Sequence, residues 1–279
     1  MREITTEIIK SFTNHLTNEE KAISTVNKYL HDVNEFQLWL GEQELSKSAT
    51  LAYKAYLCEK YAPASVNAAL SSLNSFFNFM ERYDLKVKNI KIQKQIFAST
   101  EKELTKSEYD RLLEMAKQKK NERLYLLMQT ICSTGIRVSE VRYITVKAVA
   151  SGIAEINCKN KFRRVFLPKQ LCQVLKIYIK GQKITSGAVF ITKNGNPLDR
   201  SNVWSDMKKL CKEANVSENK VFPHNLRHLF ARTFYTLQKD IVRLADILGH
   251  SSVNTTRIYT METGEIHRKQ IQELGLLRC

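Results

Sequence analysis

Leu248-Gly249-His250-Ser251-Ser252-Val253-Asn254-Thr255-Thr256-Arg257-Ile258-Tyr259-Thr260 carries helix punctuation and chemistry in one stretch. Gly249 is placed to stop one helix, and Ser251 or Ser252 to cap the next. His250 is therefore expected on the intervening turn. Tyr259 follows nine residues later, about two helical turns into the next element. A single tyrosine among 11 is ordinarily a buried structural residue, so the stretch gains meaning only from what stands upstream.

Two further groups stand there. His224-Asn225-Leu226-Arg227-His228 follows Pro223; in a first helical turn His224 and Arg227 share a face and can converge on one anion. Taken alone, a capping histidine beside a solvated arginine is the simpler account of the pair. In Thr134-Gly135-Ile136-Arg137-Val138-Ser139-Glu140-Val141, the glycine ends a helix and the arginine opens the next. Its planar fork of donors there suits a phosphate, although a surface pair of Arg137 with Glu140 is the simpler reading.

Around these groups the pattern is mainly helical with one small sheet. Thr105 and Glu108 form a capping box ahead of helices at about 106–117 and 122–133. Strands are expected at Ile153–Cys158 and Arg163–Pro168, joined by a basic turn at Lys159-Asn160-Lys161, with helices near 169–180, 200–214 and from Leu226 to the end. The first segment is helical almost throughout. A helix around Thr6–Leu16 precedes an amphipathic run from Ile23 to Leu40 that ends at Gly41, then one across Ala49–Tyr61 and one opened by Pro63. Residues 85–102 are basic and lack a sustained apolar face, so they are read as linking the two parts, with a lone edge strand as the alternative. The expected division is 1–92, a helical domain; 93–102, a linker; and 103–279, a mainly helical domain with one small sheet and a tail.

Composition narrows the partner. The 279 residues carry 44 Lys and Arg against 28 Asp and Glu, a net charge of +16. Residues 1–92 hold 11 basic and 11 acidic side chains, so the whole excess lies in residues 93–279, with 33 basic and 17 acidic. Such an excess points to a polyanion. No apolar run reaches the ~20 residues of a membrane span, and the first residues lack the apolar core of a secretory signal, so a cytoplasmic, nucleoid-associated protein without membrane contact is expected. Six cysteines, at 58, 132, 158, 172, 211 and 279, form no C-x-x-C pair and read as reduced thiols; no metal or cofactor is expected.

Taken in order, Arg137, His224-x-x-Arg227, Gly249-His250 and Tyr259 resemble the tyrosine recombinase family of phage integrases and Xer recombinases. The Thr-Gly-x-Arg-x-x-Glu, His-x-x-Arg-His and Leu-Gly-His…Thr-Thr-x-x-Tyr boxes carry that resemblance, with His250 standing 23 residues after Arg227. Thr25, Tyr29, Asp32, Phe36, Trp39 and Leu40 are similar to the family's amino-terminal core-binding domain.

The resemblance implies a helical, SAM-like core-binding domain followed by a mixed α/β catalytic domain, and a site-specific DNA recombinase. Arg137 and Arg227 would clamp the scissile phosphate, His224 and His250 would hydrogen-bond it and assist proton transfer, and Tyr259 would be the nucleophile. A phenol with a pKa near ~10 needs such a cationic setting at neutral pH. A hairpin lysine would protonate the leaving 5′-oxygen. Lys159 is the first choice and Lys161 the alternative, because Asn157-Cys158-Lys159-Asn160-Lys161 departs from the family's Gly-Lys-Gly-x-Lys pattern. Glu140 and His228 fall outside the expected catalytic set, as support for Arg137 and as a structural residue. The covalent link conserves bond energy, so neither ATP nor metal is implied.

Further expectations follow from the resemblance. The two domains would clamp duplex core sites with inverted repeats, a free monomer would assemble as a homo-tetramer on two DNA sites, and no separate arm-site-binding domain is expected. Met261–Cys279, with Ile266, Ile271, Leu274, Leu276 and Leu277, would dock either on its own domain or on a neighbouring protomer. Rival readings are a type IB topoisomerase and a non-catalytic DNA-binding regulator descended from a recombinase.

Overall fold

In the first of two compact units, residues 1–94, the helix boundaries follow local chemistry. The computed structural model describes residues 4–92, 102–158, 161–260 and 271–274. Thr5 caps α1 (Thr6–Asn18) by accepting from Ile8 N. Helix α2 (Ile23–Leu40) ends where Gly41 turns to φ 55°. Ser46 caps α3 (Lys47–Lys60), and Pro63, which has no N–H to lose, opens α4 (Pro63–Phe79). Phe12, Phe36, Phe76 and Phe77 are fully buried where these helices meet, with edge-to-face pairs Phe12–Phe76 at 5.1 Å and Phe36–Phe77 at 5.9 Å. The buried carboxylate of Asp32 accepts from the Ser72 hydroxyl at 2.7 Å and from Lys28, which satisfies it within this apolar setting.

Residues 85–90 differ from the expected linker. Leu85 and Val87 are buried in the first unit's core. Asn74 exchanges two hydrogen bonds with the Val87 backbone, at 2.9 and 3.0 Å. Asn67, two turns earlier on α4, does the same for Ile90 at 2.9 and 2.7 Å. Two asparagine amides thus replace the neighbouring strand that an extended segment needs. Amphipathic periodicity cannot reveal that arrangement.

In the second unit, residues 95–279, α5 (Lys106–Gln118) begins with the expected Thr105–Glu108 capping box. Helix α6 (Glu122–Thr134) buries Leu124, Leu127, Met128 and Ile131. A 3-10 turn (Val138–Tyr143) and α7 (Val146–Ser151) lead into the antiparallel pair β1 (Ile153–Cys158) and β2 (Lys161–Phe166). Strand β2 starts and ends two residues earlier than expected, with Ile153 opposite Phe166. The reason lies at its end: the Leu167 N–H turns to the Gly152 carbonyl, and Pro168 becomes the N-cap of α8 (Lys169–Gly181). Ala154, Ile156 and Val165 face the core, while Phe162 and Phe166 stay exposed.

Helix α9 (Arg200–Lys208) is shorter than the expected 200–214. Its end tightens into i→i+3 bonds, Leu210 N to Met207 O and Cys211 N to Lys208 O, and Arg111 takes the carbonyls of Ala214 and Asn215. The remainder is α10 (Pro223–Gln238), α11 (Ile241–Leu248), α12 (Val253–Thr256) and a 3-10 turn (Arg257–Tyr259). It is not one continuous helical run, because Lys239 and Gly249 both take left-handed φ, 54° and 63°. The expected docking of 261–279 lies almost wholly outside the described residues. Among the described residues no helix is long and apolar enough to cross a membrane.

Asn74→Ala removes both partners of the Val87 backbone. It should destabilise the first unit by about 1–3 kcal/mol and accelerate amide exchange across 86–90, read by hydrogen-exchange mass spectrometry.

Candidate active site

Two helix ends define the site. Helix α6 stops at Gly135 with φ 64°, where an added Cβ would lie 2.5 Å from the Phe230 ring of α10. Helix α11 stops at Gly249, where a Cβ would lie 2.5 Å from the Arg163 side chain of β2. Both positions require glycine twice over, for the left-handed backbone and for the close approach. The chain folds back after α11 through His250 N, which bonds to Ala245 O at 3.0 Å.

Arg227, one turn into α10, is 2% exposed and spans the two ends. It donates to Gly135 O at 2.5 Å, to Leu248 O at 2.8 Å and, across 3.0 Å, meets His250 Nε2. Burial, followed by the nearby Arg137 charge, lowers its pKa to about 10, and the Tyr259 phenol acts in the opposite direction. Arg227 is therefore fully cationic at neutral pH, in a pocket of backbone carbonyls.

Arg137 and Glu140 do form a pair, at 3.0 Å, but not a solvated one. Glu140 is 6% exposed and Arg137 38%. Glu140 also accepts from Arg137 N at 3.0 Å and from Arg163 at 2.5 Å. Burial works to raise the Glu140 pKa, yet Arg163 and then Arg137 outweigh it, and the carboxyl titrates below its ordinary range. Arg163 also reaches Ile247 O at 2.8 Å, so β2 is tied to the end of α11. Arg137 in turn approaches Gly249 O at 3.4 Å. Three arginines thus meet one carboxylate and a set of carbonyls, an electrostatic setting that favours an anion.

Tyr259 is 5% exposed and packs with Ala231, Leu244 and Leu248. Its ring stacks with His250 at 6.1 Å and 16°, and meets the His228 ring edge-on at 4.8 Å and 86°. His228 in turn lies 4.4 Å from His224. The sequence-predicted Arg137, His224, Arg227, His250 and Tyr259 therefore gather in one place: Arg227 and Arg137 both act on His224 and on His250. Lys159 lies outside the described residues, and Lys161 is located only as the first residue of β2. Sequence reasoning missed Arg163, which looked like one of several hairpin cations. His228, expected to be structural, packs between Tyr259 and His224. Among the described residues no cluster of three or more His, Cys, Asp or Glu could hold a metal ion.

The histidines are held neutral. Burial, then His224, Arg227 and Arg232, push His228 down to about 4. Its Nε2 is buried without a hydrogen-bond partner among the described residues. Burial, then Arg227, Arg137, Arg163 and His224, bring His250 to about 4 as well, and burial first lowers His224 too. Between the ordinary 6.5 and about 4 the unfolded chain binds protons that the fold refuses, so stability falls as pH drops through that window. His228→Gln should flatten the fall, measured as urea midpoints at pH 7.5 and 5; an unchanged slope would show that His228 protonates freely in the fold.

Comparison with known proteins assigns the family. Residues 102–265 match the Phage integrase family and residues 9–83 the phage integrase N-terminal SAM-like domain. Tyrosine recombinase XerA of Thermococcus kodakarensis is 30% identical, over 97% of this chain and 96% of that protein. Among solved structures, a lambda integrase(75-356) dimer bound to a COC′ core site superposes with TM-score 0.74 at 17% identity, covering 93% of this chain and 96% of that one. A lambda integrase tetramer bound to a Holliday junction gives 0.73 at 16%, covering 92% and 78%. The chain belongs to the phage integrase family and is a tyrosine recombinase, an enzyme of site-specific DNA cleavage and rejoining.

Proposed function

We propose that Arg137, His224, Arg227, His250 and Tyr259 are the residues that carry strand cleavage and rejoining, with Lys159 as the general acid and Lys161 as the alternative. The observation that carries this reading is the stacking of Tyr259 on His250, which is itself in hydrogen-bond contact with the buried Arg227. Arg137 and Arg227 bind the non-bridging oxygens of the scissile phosphate and stabilise the charge that builds in the transition state. The Tyr259 hydroxyl passes its proton to His224 or His250 as its oxygen attacks phosphorus, the bond to the 5′-oxygen breaks, and that oxygen takes a proton from the hairpin lysine. The 3′-phosphotyrosyl link keeps the energy of the original diester, so attack by a 5′-hydroxyl reverses the step.

Residues 1–92 act as the core-binding domain, 93–102 as a linker and 103–279 as the catalytic domain. The substrates are duplex core sites with inverted repeats in the cytoplasm, at the nucleoid. A free monomer assembles as a homo-tetramer on two sites, a reading supported by the fold shared with the lambda integrase tetramer on a Holliday junction. A topoisomerase would relax supercoils without a partner site, and a regulator would bind without cleaving.

Nicked duplex carrying the target site traps the covalent adduct and separates these readings. Tyr259→Phe should retain DNA binding and form no SDS-stable adduct. Arg137→Ala removes the more exposed arginine while sparing the carbonyl bonds of Arg227, and should slow adduct formation about 100-fold or more. An adduct from Tyr259→Phe would move the nucleophile elsewhere.

The tail addresses assembly. Deleting 270–279 should leave single-site binding intact and abolish synapsis of two sites in native gels, as expected for docking in trans. Unchanged synapsis would assign the tail to its own domain.

A further inference from the structure

The two ring nitrogens of His250 have partners of different kinds. Nε2 lies 3.0 Å from a terminal nitrogen of Arg227. A guanidinium offers only donors, so Nε2 must accept and carries no proton. The proton of the neutral ring is then on Nδ1, which lies 2.8 Å from Thr256 Oγ1, and the Thr256 hydroxyl is its acceptor. A doubly protonated ring would set N–H against N–H at Arg227. Arg137 beyond the end of α6, Arg163 on β2, and Arg227 and His224 on α10 all face His250 and oppose a second proton, after burial itself. The Tyr259 ring closes the remaining side.

Thr256 is fully buried. It stands three residues before Tyr259, where α12 passes into the 3-10 turn that carries the tyrosine. Its hydroxyl therefore joins the turn after α11 to the segment bearing Tyr259. We propose that Thr256 is a positioning residue for the strand-cleavage reaction: its hydroxyl holds His250 in the Nδ1–H tautomer in the DNA-free site, turning the Nε2 lone pair toward Arg227 and keeping the ring stacked on Tyr259. The site thus offers a proton acceptor, not a donor, at the imidazole atom that faces the arginines. This inference rests on the reading that His250 and Tyr259 act in the reaction. The assignment of the tautomer itself does not.

Long-range 15N–1H correlation spectra of the full-length, histidine-labelled protein at pH 7.5 report the tautomer directly. Wild type and Thr256→Ser should show His250 as Nδ1–H, whereas Thr256→Val leaves the buried Nδ1 proton without an acceptor, so the ring should turn away from Arg227 and show the Nε2–H form or a mixture. In the nicked-duplex assay Thr256→Val should form adduct about tenfold more slowly at unchanged DNA affinity, with Thr256→Ser restoring the rate. An Nε2–H tautomer in the wild type overturns the proposal without any variant. The same tautomer in Thr256→Val as in wild type overturns it as well, as does an undiminished adduct rate. If the tautomer responds as expected while His250→Gln cleaves at the wild-type rate, the catalytic reading of His250 fails and the tautomer assignment stands.

Discussion

A single buried cation organises the catalytic unit. Arg227 occupies the gap between the carboxyl ends of α6 and α11 and bonds to Gly135 O and Leu248 O. Those carbonyls are the ones a helix leaves without partners at its end, and the helix dipoles make the position electronegative. The arrangement offsets a desolvation cost of several kcal/mol for a buried guanidinium. It also dictates the neighbours. Each helix must stop abruptly, with glycine in the left-handed conformation, for its last carbonyls to face one side chain.

The same contacts prepare the site for an anion. Glu140 neutralises part of the positive field by pairing with Arg137 and Arg163. The partly exposed Arg137 is left with donor capacity, while Arg163 fastens the hairpin strand to Ile247 O. A hairpin that carries the two candidate lysines is thereby held close to the helix end that presents His250. His250 stays neutral because burial and three arginines oppose its protonation, which leaves it able to hydrogen-bond and to accept a proton.

Tyr259, the proposed nucleophile, is held by its packing. It is buried with Ala231, Leu244 and Leu248, as an ordinary core tyrosine would be, yet its ring is bracketed by His228 and His250. Its packing fixes the Arg257–Tyr259 turn against α10 and α11. The position of the hydroxyl is therefore a property of the small core around it.

Much was legible in the sequence because it depended on short-range rules. The capping box at Thr105–Glu108, the glycine stops at 41, 135 and 249, and the proline opening at 63 are local backbone chemistry, and the structure bears them out; α10 opens at Pro223, three residues before the expected Leu226. The spaced boxes around Arg137, His224, Arg227, His250 and Tyr259 were legible as well, because their order along the chain carries the family resemblance. Tertiary structure decided what depends on partners far apart in sequence. The docking of 85–90 came from Asn67 and Asn74, polar residues that periodicity treats as solvent-facing. The exact span of β2 came from where Pro168 had to begin α8. The burial of Glu140 came from Arg163, 23 residues away, and the tautomer of His250 from Arg227 and Thr256 together. A linear pattern records which groups are present, but the proton on a ring nitrogen is set by the donors and acceptors that folding brings to each side of it.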